Sequence, residues 1–443
     1  MKKILTLTFG LLLTVNTAFA GLRQELSNVI SQSKINSSSI SVSVKNAKTG
    51  KTAYELNAKM PVSPASTQKI ITATPAFMVL GEDYKFSTKL YKNNSNDYVV
   101  VLGADPYLTS RDLEKLVKFI PKEPHSINID STIIDDNEWG EGWQWDDDLN
   151  PLMPKFSAYN IDRNLMEITI SPTVKNFPAR ITQEISYPIT FINHIVTGKS
   201  TAYTLKRQNH ISPDIIIAEG SIQYNQSSIR EIPINNPKKY FIMRLSDAII
   251  NQNISSSGEY AQVKINNKYN LITLLSHDIS QAKKDIYKNS NNLTAETVFK
   301  LAGGKYKGAT GSFENGLEMF KNFCETHHLD TTKINIVDAS GVSKNNLMTS
   351  DFMTDFLICT QGFLENELPT PGEGTLSNRM LYLKNNVHAK TGTLSNISAL
   401  TGYITTRKNQ KYVFSIMINN SEFTSGEKKM LEEYILRTIY NKG

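Results

Sequence analysis

The chain changes texture part-way along, and that change limits what it can fold into. From about Tyr84 to Lys264, short runs of β-favouring residues predominate: Tyr98–Leu102, Ile127–Ile134, Leu165–Ile170, Tyr187–Ile192 and Ile215–Ala218. Pro, Asn, Gly and Asp separate them, and helical spacing is confined to Arg111–Ile120 and Tyr240–Asn251. Before this stretch, Ile40, Val42 and Val44 alternate and are followed, past a turn containing Gly50, by Ala53–Leu56, which reads as a hairpin. After it, helical spacing returns over Leu271–Leu301, Glu314–His327, Asp351–Gly362 with Ser350 as N-cap, and Gly426–Tyr440. Strand patterns return at His388–Lys390, Ala399–Thr405 and Tyr412–Asn419. The expectation is an α+β chain. A strand-and-helix domain is built from residues 21–83 and 265–443 and is split by a mostly-β insertion, residues 84–264, in two subdomains.

Residues 1–20 read as a secretory signal. Lys2 and Lys3 are followed by the apolar stretch Ile4–Val15 and the small-residue site Ala18-Phe19-Ala20. The apolar stretch is short for a membrane span, so cleavage after Ala20 and export are expected, to the periplasm if the host is Gram-negative. Without Lys2 and Lys3 the net charge falls from +6 to +4. That is weak for a chain of this length, and no basic stripe with interleaved aromatics points to nucleic acid. The two cysteines, Cys324 and Cys359, both lie in apolar helical patterns. A disulfide and two buried thiols both remain open. No metal-ligand spacing appears, and no cofactor is implied.

Ser66-Thr67-Gln68-Lys69 opens the apolar run Ile70–Leu80, after Pro61 and Pro64 and before Gly81. Pro64 and Ser66 are helix-start signals and Gly81 is a stop signal. Ser and Lys three apart on a helix share a face. A serine hydroxyl becomes a nucleophile only beside a base, and a desolvated lysine can be that base. Ser-x-x-Lys also occurs at Ser31–Lys34, Ser280–Lys283 and Ser425–Lys428, but none of these opens an apolar helix behind a proline. Taken alone, the spacing fits two solvated side chains as well as it fits a catalytic pair.

Two further stretches change that balance. Ser290-Asn291-Asn292 precedes Leu293-Thr294-Ala295-Glu296, and on its own reads equally as a turn or helix cap. Lys390-Thr391-Gly392-Thr393 is a hydroxyl-rich strand edge with a lysine, suited to an anionic substrate end, and Gly392 would let a substrate backbone approach. Ser-x-x-Lys, Ser-x-Asn and Lys-Thr-Gly in this order form a known signature of penicillin-binding proteins and serine β-lactamases. The chain resembles the low-molecular-mass class C penicillin-binding proteins, which are D-alanyl-D-alanine carboxypeptidases and endopeptidases. The resemblance covers most of the mature chain. It extends to Leu102–Leu108, Gly142–Asp147, Ser157–Asn160, Asp338–Ser343 and Gly374-Thr375-Leu376 before Arg379. Asn291 stands where Asp is common, and Lys344 where some relatives have Arg.

The resemblance implies a penicillin-binding protein/serine β-lactamase-like domain, an antiparallel sheet flanked by helices, carrying the large insertion. It implies an acyl-enzyme on Ser66 with Lys69 as base, formed from peptidoglycan stem peptides and, covalently, from β-lactams. It assigns Ser290 to proton relay, Asn292 to the substrate amide, and Lys390, Thr391 and Thr393 to the terminal carboxylate. It assigns the backbone N–H groups of Ser66 and Thr393 to the oxyanion. Asp147, within Asp146-Asp147-Asp148, is either a solvated turn residue or, by the resemblance, the partner of an amine on the peptide's third residue. Two other readings share some of these features. A serine β-lactamase has no need of the insertion, and a non-catalytic peptidoglycan binder has no need of the nucleophile–base pair. Carboxypeptidase and endopeptidase action, and the oligomeric state, are not separable in the sequence.

Overall fold

A computed structural model describes residues 20–208 and 211–443. Residues 1–19 of the expected signal segment therefore lie outside the described residues. The chain divides into two compact units. Among the described residues, one comprises 20–79, 280–291 and 316–443, and the other comprises 80–208, 211–279 and 292–315.

The first unit is built on a five-stranded antiparallel sheet. Its spatial order is Val387–Leu394, Ile397–Thr405, Lys411–Ile418, Ile40–Asn46, Thr52–Leu56. The hairpin read from Ile40, Val42 and Val44 supplies the last two strands. Alternation sends Val42 and Val44 to one face, where they join Leu400, Phe414 and Ile416 in a core. The helix over residues 20–32 adds Leu22, Leu26 and Ile30 to it, and the C-terminal helix Ser425–Lys442 adds Leu431, Ile435 and Ile439. Burying each such side chain is worth about 1.5–3 kcal/mol, so a charge at Val42 would strike the centre of this layer.

The intervening residues, Ser41 and Ser43, face the other way and are also buried. Their hydroxyls meet Ser350 Oγ at 2.8 Å and Thr354 Oγ1 at 2.9 Å on the helix Ser350–Leu364. This strand is thus covered on both faces, apolar on one and hydrogen-bonded on the other, which a simple apolar/polar alternation would not suggest. The N-cap of that helix is Thr349, whose side chain accepts from Phe352 N, and not the expected Ser350. Ser350 is already inside the helix and bonded to the sheet. Cys324 and Cys359 are both free thiols, the first buried and the second exposed, so no disulfide forms between them here.

The second unit contains three sheets. A four-stranded one has the order Asn270–Asp278, Lys85–Lys92, Asp97–Val101, Ser126–Asp130. Two three-stranded ones are Ser228–Pro233, Leu165–Ser171, Arg180–Gln183 and Thr190–Gly198, Ser212–Gln223, Ala202–Gln208. The β-rich texture of the insertion is therefore real, but its boundary moves. The helical spacing expected from Leu271 breaks down, because Asn270–Asp278 is a strand in register with Lys92–Lys85. Pairing with a distant strand satisfies these backbone groups, although Leu271, Ile272 and Leu274 stay exposed. The insertion runs to Ile279 instead of Lys264, and the helix Asn292–Lys307 also belongs with it.

Candidate active site

Ser66 does not begin the α-helix directly. It lies on a 3-10 turn, Ala65–Gln68, and the α-helix proper runs from Lys69 to Leu80. Ala65, fully buried, has φ +47°, a left-handed conformation uncommon for a residue with a side chain. Two distant glycines accept this turn. A Cβ on Gly341 would lie 2.1 Å from Ala65 O. A Cβ on Gly392 would lie 2.9 Å from Pro64 O and 3.0 Å from Ser66 N. The space left by the missing Gly392 side chain is thus taken by the protein's own serine turn. Ser66 itself is half-buried, while Thr67, Gln68 and Lys69 are buried.

Lys69 Nζ lies 3.1 Å from Ser66 Oγ and donates to Ser340 O at 2.7 Å. The amine is fully buried. The segment Asp338–Ser343 that offers this carbonyl is itself held in place. Asp338 accepts from Gly341 N and Ser343 N, each at 2.6 Å, and from Asn346 Nδ2 at 2.9 Å. Gln68 Nε2 donates to Asp338 O and to Asn346 Oδ1, and Thr72 Oγ1 donates to Ala339 O at 2.7 Å. Neither Gln68 nor Asn346 stands out in the sequence. The only signals were the place of Gln68 between Ser66 and Lys69 and the Asp-x-Ser-Gly turn chemistry downstream of it.

A second serine–lysine pair completes the constellation within this unit. Lys390 Nζ donates to Ser290 Oγ at 2.8 Å and to Thr391 O at 3.0 Å. Ser290 follows the helix Ile279–Tyr287 and has φ +64°. Burial, and then the neighbouring charge of Lys69, hold the Lys390 amine well below its usual range. Two ammonium groups in one dry site disfavour each other, so one of them is readily neutral and able to accept a proton. On the same strand Thr391 is buried and Thr393 is exposed. Ser66, Lys69, Ser290 and Lys390–Thr393 all belong to this one unit.

Asn292 and Asp147 belong to the other unit. Asn292 opens the helix Asn292–Lys307, and its Nδ2 donates to Leu152 O at 2.7 Å. Asp147 lies on the 3-10 turn Trp145–Asp147, and the adjacent Asp148 is 3.2 Å from the buried guanidinium of Arg207. The acidic turn is thus anchored by a cation at Asp148.

Residues 22–435 match the D-Ala-D-Ala carboxypeptidase 3 (S13) family. The chain is 24% identical to a D-alanyl-D-alanine carboxypeptidase of Actinomadura sp. strain R39, over 86% of this chain and 78% of that protein. It is 25% identical to the penicillin-sensitive carboxypeptidase A of Dictyostelium discoideum, over 83% of this chain and 80% of that protein. Its fold matches the crystal structure of penicillin binding protein 4 (dacB) from Haemophilus influenzae with a TM-score of 0.83 at 21% identity, over 94% of this chain and 99% of that one. The α+β architecture expected from the three motifs is that fold.

Proposed function

The chain belongs to the D-Ala-D-Ala carboxypeptidase 3 (S13) family, and on that premise we propose that Ser66 is its nucleophile and Lys69 the base. The enzyme is a serine-type D-Ala-D-Ala carboxypeptidase acting on peptidoglycan. The observation that carries the assignment is the 3.1 Å contact between a half-buried serine hydroxyl and a fully buried lysine amine. A lysine this dry is costly to keep charged, which suits it to take a proton.

In the proposed reaction Lys69 Nζ removes the Ser66 proton as Oγ attacks the carbonyl between two D-alanines. The backbone N–H groups of Ser66 and Thr393 hold the oxyanion. As the C–N bond breaks, the proton that Lys69 took from Ser66 is relayed through Ser290 and Lys390, which are already hydrogen-bonded at 2.8 Å, to the leaving D-alanine nitrogen, so Lys69 is neutral again. Thr391, Thr393 and the amine of Lys390 receive the terminal carboxylate, and Asn292 holds the substrate amide. Asp147 receives the amine of the third residue. Water then hydrolyses the ester on Ser66, with Lys69 again as base. β-Lactams acylate Ser66 by the same path, in keeping with the penicillin sensitivity in the name of the Dictyostelium relative. Residues 1–20 direct export, which N-terminal sequencing of the mature chain checks by beginning at Gly21.

Ser66→Ala tests the assignment. The variant is expected to lose both penicillin labelling, read by mass spectrometry, and D-alanine release from a pentapeptide muropeptide. Retained turnover would remove Ser66 from the mechanism. Fast penicillin hydrolysis by the unaltered protein would favour a β-lactamase instead, and product analysis on cross-linked muropeptides reports endopeptidase action.

A further inference from the structure

The second unit holds a cavity of ≈ 1190 Å³ far larger than its own wiring needs. Several of the groups that line it are already satisfied. Asp162 accepts from Ser110 N at 2.9 Å, from Ser110 Oγ, and from Tyr240 OH at 3.1 Å. Arg244 Nε donates to Ser110 Oγ at 2.7 Å while its Nη1 meets Asp247 at 3.1 Å. The wall bends through three successive left-handed residues, Asp162 (φ 48°), Arg163 (φ 58°) and Asn164 (φ 53°), none of them glycine. Such a run persists only where surrounding bonds dictate it. Here Asp162 supplies the bonds just named, Arg163 pairs with Glu231, and Asn164 Oδ1 accepts from Ile161 N at 3.1 Å.

Three charged groups on the walls are different. Arg111, Glu167 and Glu184 line the cavity, and none has a side-chain hydrogen bond or ion pair among the described residues. One cation and two carboxylates without partners face one space bigger than a drug-sized ligand fills. A polyanion would meet Glu167 and Glu184, and a polycation would meet Arg111. A ligand carrying a carboxylate at one place and an ammonium at another satisfies all three. The Ser110 hydroxyl is already bonded to Asp162.

We propose that this cleft is a second, non-catalytic site that binds a short zwitterionic peptide. Resting on the proposed function, that peptide is a peptidoglycan stem peptide, its carboxylate on Arg111 and its free amine on Glu167 and Glu184. The site holds the polymer by a peptide other than the one being cleaved.

The test uses the full chain acylated at Ser66 with penicillin, the label checked by mass, and a synthetic pentapeptide ending in D-Ala-D-Ala with one free side-chain amine. Calorimetric titration is expected to show saturable binding to the acylated protein. Arg111→Glu and Glu184→Lys should each weaken it about fivefold, the upper end of what exposed ion pairs carry. Acetylating the side-chain amine should abolish the effect of Glu184→Lys, and amidating the C-terminus should abolish that of Arg111→Glu. Absence of saturable binding, or affinity in both variants equal to that of the parent, overturns the proposal. Failure of penicillin to label Ser66 is a separate outcome that sinks the catalytic reading. The cleft is then still judged by comparing unlabelled protein with the same two variants.

Discussion

The two serine–lysine pairs of the catalytic unit use the same atoms in opposite ways. Ser66 and Lys69 are three residues apart, and one turn of backbone sets their 3.1 Å contact. Ser290 and Lys390 are 100 residues apart, and their 2.8 Å contact exists only because a left-handed turn and a sheet strand meet. The local pair fixes which serine can be deprotonated. The distant pair reports whether the domain has closed around it. Lys390 is the more exposed of the two to failure of the fold, since its amine is fully buried and held well below its usual range by that burial.

Replacing Lys390 by Met separates chemistry from stability. The relay and carboxylate contact vanish, so kcat/KM for D-alanine release should fall by ~10²–10³, the cost of one preorganised electrostatic group. Stability should respond in the other sense. In the folded state the amine titrates below the usual lysine value, so between the two values the unfolded chain binds one more proton. Stability from this group therefore rises with pH up to the usual lysine range and is lost as pH falls towards the folded value. Urea unfolding at pH 7 and pH 9 should show that rise in the parent and a shallower one in Lys390→Met, with no loss of stability at pH 7. A large stability loss at pH 7 would mean the amine is mainly a structural donor to Ser290 and Thr391.

The same contrast explains what could be read in the sequence. Ser66 and Lys69 announce themselves because helical spacing is local, and the Lys390-Thr391-Gly392 strand because its hydroxyl pattern is. The 3-10 start and the left-handed Ala65 are not legible, since Gly341 and Gly392 permit them from far along the chain. Asn270–Asp278 reads as helix for a related reason: its apolar residues fit that spacing until Lys85–Lys92 claims its backbone. Thr349 replaced Ser350 as N-cap because Ser350 is engaged by Ser41 of the sheet. Roles for Asn292 and Asp147 rest on resemblance, and neither residue's own surroundings in the sequence single it out.

Gly392→Ala sharpens the comparison by pressing on the join between the two pairs. The strand that carries Lys390 also touches the turn that carries Ser66, and the new Cβ would meet Pro64 O at 2.9 Å and Ser66 N at 3.0 Å. Pro64 and Ala65 are buried and cannot give way into solvent, so the strand or the serine turn must shift by a few tenths of an ångström. A 1 Å misplacement costs ~10² in rate, so a fall of about tenfold or more in acylation by penicillin is expected. An unchanged acylation rate would show that the strand and the serine turn are not rigidly coupled.

The smallest effect should come from Asp338. Its carboxylate receives Gly341 N and Ser343 N at 2.6 Å, and this shape aims Ser340 O at Lys69 Nζ. Asn at this position keeps the volume but turns one acceptor into a donor facing a backbone N–H, so one charge-assisted bond is lost and its partner is left unsatisfied. Such bonds contribute about 1.5–3 kcal/mol, enough to lower the melting temperature measurably. If the loop also orients the base, kcat for acylation should drop about tenfold with KM unchanged, because each 1.4 kcal/mol in the barrier is tenfold in rate. Asp338→Glu, which keeps the charge, should recover part of the rate but not the full stability, since the longer side chain crowds a buried loop. A fall in melting temperature with kcat untouched would reduce Asp338 to a loop anchor. The geometry of the local pair would then be set by the serine helix alone.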